Sequence, residues 1–134
     1  LPSGTADVLV STEPVEALRN ICYVNKKTKV ITDITPVIPF TVAVGGEQYP
    51  KLETIYKEIK AHAQLFTVNA NEIAKKAGAV IAKNSVMLGA LAASDVLPFN
   101  SKTLLEAILE DIPEKYKEIN KKAFQGGMDA IKRQ

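Results

Sequence analysis

The sequence predicts an α/β fold with three layers, α/β/α, built on a mostly parallel (mixed) sheet and ending in a helical C-terminal part. In the first half of the chain, short apolar or β-branched runs alternate with segments of helical periodicity, which is typical of a sheet covered by helices on both faces. In the second half, helical patterns follow one another without a strand between them. The length of 134 residues suits one core, so we predict a single domain over residues 1–134.

Four short segments have the composition of strands. Residues 6–11 (ADVLVS) are apolar on both faces, which predicts a buried strand with a neighbour on each edge. Residues 29–34 and 64–68 are rich in β-branched and apolar side chains and predict two more strands. Residues 40–44 (FTVAV) predict another, and the link before them is too short for a helical crossover. This strand therefore pairs antiparallel or continues the previous strand after a bend.

Helices are predicted between these strands. Thr12 is the expected N-cap of a helix over residues 13–21, and a second helix covers residues 50–62. Asn69 begins an N-x-x-E capping arrangement for a third helix that ends near Gly78. Each of these segments places its apolar residues at helical spacing, so each is expected to bury one face.

The stretch of residues 79–99 predicts a buried central helix, because apolar residues occur on every side of it. Small residues at spacings of three and four form one narrow face, where another backbone can approach closely; they are Ala82, Ser85, Gly89 and Ala92. Glycine in a helix interior costs about 1 kcal/mol relative to alanine. Close packing at Gly89 would compensate for that cost.

Two asparagines fall on apolar helical faces. Asn84 lies on the bulky side of the central helix, and Asn120 lies within the last helix, which covers residues 113–134. A buried amide needs partners, so Asn84 either bonds to nearby backbone or faces a ligand or a partner subunit. The Gly126–Gly127 pair is expected to bend or end the last helix.

Composition limits the chemistry of the chain. The net charge of +2 is too small to argue for nucleic acid, and the sequence contains no apolar run long enough for a membrane span. A single cysteine, Cys22, cannot form an intrachain disulfide or a four-cysteine metal site, and it suits a reducing, cytoplasmic compartment. For the single histidine, His62, a solvated or C-capping role and a catalytic role both stay open. No nucleotide-binding or hydrolase motif occurs.

Two long segments resemble a known family. Residues 6–19 (ADVLVSTEPVEALR) and residues 69–124 (NANEIAKKAGAVIAKNSVMLGALAASDVLPF and onward) are similar to the gamma-type subunits of the 2-oxoacid:ferredoxin oxidoreductases. The resemblance is greatest to the indolepyruvate type. Its ordered series includes an asparagine, here Asn84, a leucine-glycine-alanine at residues 88–90, a second asparagine, here Asn120, and a glycine, here Gly127.

The resemblance implies a reaction and a division of labour. These enzymes oxidatively decarboxylate 2-oxo acids to acyl-CoA with thiamine diphosphate, Mg, coenzyme A and 4Fe-4S clusters, and they pass electrons to ferredoxin. In the indolepyruvate type, the large alpha subunit carries the thiamine diphosphate and the clusters. The resemblance therefore implies that this chain binds no cofactor, has no catalytic residue or metal ligand, and helps shape the approach of substrate or coenzyme A. The residues expected to face a partner or a ligand are Glu16, Arg19, Asn84, Gly89 and Asn120.

Alternatives stay open at this point. The chain could be a gamma subunit of a pyruvate or 2-oxoglutarate type, an independent ligand-binding α/β module, or a scaffold for assembly. Glu16 and Arg19, three residues apart, also fit a plain surface ion pair worth under about 1 kcal/mol. The family's glycine-rich opening segment does not occur before residue 6, so we expect the chain to be the latter two-thirds of such a domain. Asp33 stands where relatives often carry asparagine.

Overall fold

A computed structural model describes residues 1–45 and 48–134 of the chain. These residues form two compact units, Leu1–Leu65 (unit 1) and Phe66–Gln134 (unit 2). The expectation that residues 1–134 form a single domain stays a prediction.

Unit 1 is the α/β part of the chain. Its elements are β1 (Val8–Ser11), α1 (Pro14–Arg19), a 3₁₀ turn (Ile21–Tyr23), β2 (Lys29–Asp33), α2 (Phe40–Ala43), α3 (Leu52–His62) and the start of β3 (Gln64–Val68). The strands form one sheet in the order β1-β2-β3, and β1 runs parallel to β2 with Val8 opposite Lys29. The predicted α/β class with a parallel sheet is therefore confirmed.

Packing of α1 and α3 on the sheet makes the core of unit 1. Val30 of β2 and Ile55 and Ile59 of α3 are completely buried, and Ala17 of α1 joins the same cluster. The spacing of Ile55 and Ile59 by one helical turn explains why α3 presents one apolar face. This face is the one predicted from the sequence.

Two expectations for unit 1 are wrong. Residues 40–44 form no strand, because the amides of Val42 and Ala43 donate to the carbonyl of Pro39, at 3.0 Å each, within the helical turn α2. The β-branched residues there lack the neighbouring strand that would make β structure favourable. β1 lies at one edge of the sheet that the described residues form, with Val10 39% exposed, and the neighbour expected on that edge stays a prediction. The second, the cap of α1, is described with the site below.

Unit 2 is helical after β3. It contains α4 (Ala70–Ala77), a 3₁₀ turn (Val80–Ala82), α5 (Lys83–Ala92), α6 (Ser101–Glu110) and α7 (Glu114–Lys132). The predicted capping of α4 is confirmed, since the side chain of Asn69 accepts from the Glu72 amide. Asn100 caps α6 in the same way, since its side chain accepts from the Thr103 amide.

Two expectations for unit 2 are also wrong. The stretch before α5 is a 3₁₀ turn with Val80 and Ile81 on the surface, although α5 itself is largely buried. The glycine pair does not end the last helix, because α7 continues past it to Lys132, and a bend at the pair stays a prediction. Tertiary packing overrides the weak helix propensity of glycine at this position.

A reciprocal glycine contact joins α5 and α7. A Cβ atom added to Gly89 would lie 1.9 Å from the carbonyl oxygen of Phe124, and one added to Gly127 would lie 1.9 Å from the carbonyl oxygen of Val86. Each helix therefore places a glycine against the backbone of the other. The close approach predicted at Gly89 is confirmed, and Gly127 contributes the matching half of the contact.

Replacing either glycine with alanine is expected to destabilise the chain. A methyl group at Gly89 or Gly127 meets backbone that cannot rotate away, so Gly89→Ala and Gly127→Ala should each lower the free energy of unfolding by about 1–3 kcal/mol. Gly126→Ala is the comparison variant: its added Cβ would lie 2.5 Å from the Cγ2 methyl group of Ile73, a side chain that can shift further than backbone can, so it should cost less than the other two changes. Urea unfolding followed by circular dichroism measures all three; equal midpoints would contradict the backbone contact.

Candidate functional site

A cavity of about 490 Å³ opens beside α1 in unit 1. We call it the α1 cavity, and its lining residues are Thr12, Glu13, Val15, Glu16, Arg19, Val37, Pro39, Val42, Gln48, Tyr49 and Pro50. Its wall is mainly apolar, while Glu13, Glu16 and Arg19 carry charge. Because β1 and α1 follow directly on one another, this cavity lies at the carboxyl end of a parallel strand, where open α/β sheets commonly bind ligands.

Glu13 is the polar centre of the α1 cavity. Pro14 occupies the first position of α1, which makes Glu13 the N-cap, and its Oε2 accepts from the Glu16 amide at 2.8 Å. This corrects the expectation that Thr12 caps the helix. Proline at the first helical position leaves the residue before it extended, so Glu13 takes the capping geometry. The residue is only 7% exposed.

Two further groups hold Glu13 in place. Ser11 Oγ donates to the Glu13 carbonyl at 2.6 Å and accepts from the Glu13 amide at 3.3 Å. The Tyr49 hydroxyl donates to Glu13 Oε1 from a position 36 residues later in the chain. Both carboxylate oxygens therefore have one hydrogen-bond donor, and the position of the carboxylate is fixed by two elements.

The environment of Tyr49 favours its neutral form. Burial raises the pKa of the Tyr49 phenol, and the hydrogen bond to Glu13 and the charge of that carboxylate raise it further. A phenol that stays protonated keeps donating to Glu13. Burial also raises the pKa of Tyr56, with the negative charges of Asp33 and Glu53 adding to the effect.

Glu16 and Arg19 lie together at the cavity, as the sequence spacing predicted. Arg19 Nη1 donates to Glu16 Oε1, and the side chains are 62% and 52% exposed respectively. Such an exposed pair adds little stability. The guanidinium has five N–H donors, so the contact with Glu16 leaves most of its hydrogen-bonding capacity for another group.

The apolar rim of the cavity is exposed. Val37 lines the cavity and is 62% exposed, and Ile38 and Val44 of the same segment are also exposed on unit 1. Surface patches of large apolar residues often mark interaction sites.

The other candidate residues lie in unit 2. Ser85 of α5 donates from Oγ to Asn120 Oδ1 at 2.6 Å, and Asn120 donates from Nδ2 to the Tyr116 carbonyl at 2.9 Å. Asn120 is thus buried and held between α5 and α7, the same pair of helices to which the Gly89 contact belongs. Asn84 is exposed, so the expectation of a buried amide there is wrong. Asn84 is the second residue of α5, and the buried part of this helix begins only after it, at Ser85.

The described residues offer little for a metal cofactor. Within residues 1–45 and 48–134, no group of three or more His, Cys, Asp or Glu side chains is placed to hold a metal ion. Cys22 is exposed on the turn after α1, and one thiolate cannot hold an iron–sulfur cluster. His62 ends α3 with Nδ1 3.0 Å from the Glu58 carbonyl oxygen, which favours a role at the helix end.

In the described part of the chain, no helix combines the length and the apolar character that crossing a membrane requires.

Sequence reasoning missed the hydrogen-bonded pair at the centre of the α1 cavity, Glu13 and Tyr49. Glu13 could have been found, because Pro14 marks the residue before it as the cap. Tyr49 gives no comparable signal, since only the folded chain brings it to Glu13. Glu16 and Arg19 were found, but as a pair on a helix and not as part of a cavity.

Comparison with known proteins places the chain in a family. The model of the family described as pyruvate ferredoxin/flavodoxin oxidoreductase matches residues 1–130. The indolepyruvate oxidoreductase subunit IorB of Archaeoglobus fulgidus is 41% identical over 128 residues, which is 95% of this chain and 64% of that protein. The subunit of the same name from Pyrococcus horikoshii is 38% identical over 134 residues, covering 98% of this chain and 66% of that protein.

Solved structures show the same fold. The gamma subunit of the keto/oxoacid ferredoxin oxidoreductase from Geobacter sulfurreducens superimposes with a TM-score of 0.69 at 22% identity, over 98% of this chain and 67% of that one. The 2-oxoglutarate:ferredoxin oxidoreductase from Magnetococcus marinus gives a TM-score of 0.64 at 21% identity, over 98% of this chain and 21% of that one.

The chain therefore belongs to the pyruvate ferredoxin/flavodoxin oxidoreductase family, and its fold is that of the gamma-type subunits. It spans about two thirds of the length of the curated relatives that it matches.

Removing the buried amide should destabilise unit 2, whereas removing the exposed one should not. Asn120→Ala leaves the Ser85 hydroxyl without its acceptor, so the free energy of unfolding should fall by about 1–3 kcal/mol. Asn84→Ala, on the surface of α5, should change it by less than about 0.5 kcal/mol. Adding Ser85→Ala to Asn120→Ala should cost less than the sum of the two single changes. Equal effects of the two asparagines would contradict this assignment.

The two tyrosines should make stability fall at high pH. Between the ordinary tyrosine pKa of 10 and the raised pKa of the folded chain, the folded state keeps a proton that the unfolded state has lost. The free energy of unfolding must then decrease as the pH rises above 10. Tyr49→Phe and Tyr56→Phe should each flatten this decrease, and the double variant should flatten it most. Urea unfolding across that pH range provides the measurement, and an unchanged slope in Tyr49→Phe would refute the assignment for Tyr49.

Proposed function

We propose that this chain is a subunit of a ferredoxin-dependent oxidoreductase that decarboxylates aryl 2-oxo acids, of which indolepyruvate is the type, to acyl-CoA. The observation that carries the proposal is the similarity to indolepyruvate oxidoreductase subunits at 33–41% identity over 95–98% of this chain. The family model is described for pyruvate, and it matches this chain as a family. The solved 2-oxoglutarate enzyme shares the fold, but its sequence identity to this chain is only 21%.

The proposal assigns the redox chemistry to a partner. A large alpha subunit would carry thiamine diphosphate, Mg and the 4Fe-4S clusters, and coenzyme A would enter as co-substrate. The single, exposed Cys22 supports this division, because cluster ligation requires several cysteines in one site. A single cysteine without a disulfide partner in this chain also suits a reducing cytoplasm.

Within such a complex, the described surfaces of this chain have different roles. The α5–α7 contact with Gly89 and Asn120 stabilises unit 2, while Asn84 and the exposed Ile81 on the same unit are available to the large subunit. Glu16 and Arg19, at the α1 cavity, are available to substrate or coenzyme A.

Co-purification and turnover together test the proposed function. When co-expressed with the alpha-type subunit encoded in the same genome, the protein should co-purify with it. Ferredoxin reduction by the mixture should require both subunits, coenzyme A and indolepyruvate, with pyruvate and 2-oxoglutarate as comparison substrates. Full activity of the large subunit alone would overturn the proposal, and a preference for pyruvate or 2-oxoglutarate would overturn the assignment to aryl 2-oxo acids.

A further inference from the structure

We propose that unit 2 binds an apolar α-amino acid in a second cavity, which lies where α5 and α7 end. We call it the helix-end cavity, and the lining residues that carry the argument are Asp95, Leu97, Phe99, Asn100, Met128 and Lys132. The inference does not depend on the proposed function, because it concerns neither the substrates nor the cofactors of that reaction.

The direction of the two helices creates this cavity. Ser85 of α5 bonds to Asn120 of α7, and one turn later in each helix Gly89 faces the backbone of Phe124. The two helices therefore run in the same direction and end on the same side of unit 2. The residues that follow α5 and those that end α7 line one cavity of about 410 Å³. This volume lies within the range of roughly 300–1,000 Å³ that is typical of small-molecule sites.

Asp95 and Lys132 place opposite charges on this cavity that do not pair with each other. Both side chains are exposed, and neither takes part in an ion pair within the part of the chain that the structure describes. The ammonium and the carboxylate of an amino acid are attached to one carbon. A free amino acid can therefore bridge an anion and a cation that line the same cavity without direct contact, its ammonium binding Asp95 and its carboxylate binding Lys132.

Asp95 occupies a position that costs stability. Its φ of 58° places it in the left-handed region, and among the described residues it is the only one other than glycine with a positive φ. A carboxylate just after a helix is also repelled by the partial negative charge of the helix C-terminus. Glycine would avoid both costs. An ammonium bound between this carboxylate and the end of α5 removes the repulsion, which gives the carboxylate a role that glycine could not fill.

The start of α6 adds to the positive charge of the same cavity. Asn100 is the N-cap of this ten-residue helix and lines the cavity. The partial positive charge of a helix N-terminus favours a carboxylate, as the ammonium of Lys132 does. The wall of the helix-end cavity therefore carries both signs of charge, which suits a zwitterion better than an ion of one sign.

The remaining wall is apolar and selects the side chain of the ligand. Leu97 and Met128 are half-buried, and Phe99 is 47% exposed. An aliphatic side chain that covers the ring of Phe99 gains from the removal of both surfaces from water, and methionine adapts its shape to such a neighbour. An apolar amino acid therefore has a partner for each of its three groups.

Isothermal titration calorimetry of the chain with L-leucine tests the inference. We expect saturable binding of one molecule per chain. Two matched probes each lack one charged group, since 3-methylbutylamine has no carboxylate and 4-methylpentanoate has no ammonium. Each should bind about tenfold more weakly than L-leucine, because one charge-assisted interaction is lost.

Variants of the chain separate the two charges from the apolar wall. Asp95→Gly should weaken L-leucine about tenfold without changing the affinity for 4-methylpentanoate, and it should melt at no lower temperature because glycine suits the left-handed backbone. Lys132→Met should weaken L-leucine to the same extent without changing the affinity for 3-methylbutylamine. Phe99→Ala, at an exposed position, should weaken all three probes. Lys122→Met removes another exposed lysine of α7 and is the matched control, which should leave every affinity unchanged.

The outcomes separate this inference from the proposed function. No saturable binding of L-leucine by the folded chain overturns the inference, and so does equal affinity for the three probes. An equal loss of affinity in Lys122→Met and Lys132→Met also overturns it, because it would reveal a general attraction of anions to α7. A chain that assembles and supports turnover but does not bind L-leucine contradicts only the inference. A chain that binds L-leucine as expected but neither assembles nor supports turnover contradicts only the proposed function.

Discussion

The backbone contact between α5 and α7 is the constraint on which unit 2 depends. Two glycines, Gly89 and Gly127, each face the carbonyl of the other helix, so neither position has room for even a methyl group. At this separation the Ser85 hydroxyl reaches the Asn120 amide across the contact. The hydrogen bond is therefore a consequence of the glycine contact: it satisfies a polar group that close packing buries, and any change that separates the helices also breaks it.

Unit 1 depends in a similar way on one residue that serves two purposes. Glu13 caps α1, which stabilises the start of a six-residue helix, and the same carboxylate lines the α1 cavity. A short helix contributes little stability of its own, so its cap and its packing decide whether it forms. Tyr49, arriving from a distant part of the chain, fixes the carboxylate and closes one side of the cavity. Stability and the shape of the site are thus determined by the same contacts.

The two units also divide the expected functional residues between them. Glu16 and Arg19 belong to a cavity, while Gly89 and Asn120 belong to a helix contact and Asn84 to the surface. Residues that the family resemblance groups together as candidate site residues can therefore have different physical roles. Asn120 is held by two hydrogen bonds inside unit 2, which favours a structural role, whereas Asn84 lies on the surface of that unit.

By itself, the sequence determined the α/β class, most helices and strands, the close approach at Gly89 and the family. These features depend on local periodicity, on caps such as Asn69 and on ordered motifs, all of which are visible along the chain. Only the tertiary structure decided that residues 40–44 form no strand, that α7 continues through its glycines and that Asn84 is exposed. Only the tertiary structure brings Tyr49 to Glu13. The reason is physical. Helix propensities differ by tenths to about 1 kcal/mol per residue. Packing against a distant segment changes the free energy of folding by more than this, and a local sequence pattern does not show which segments pack together.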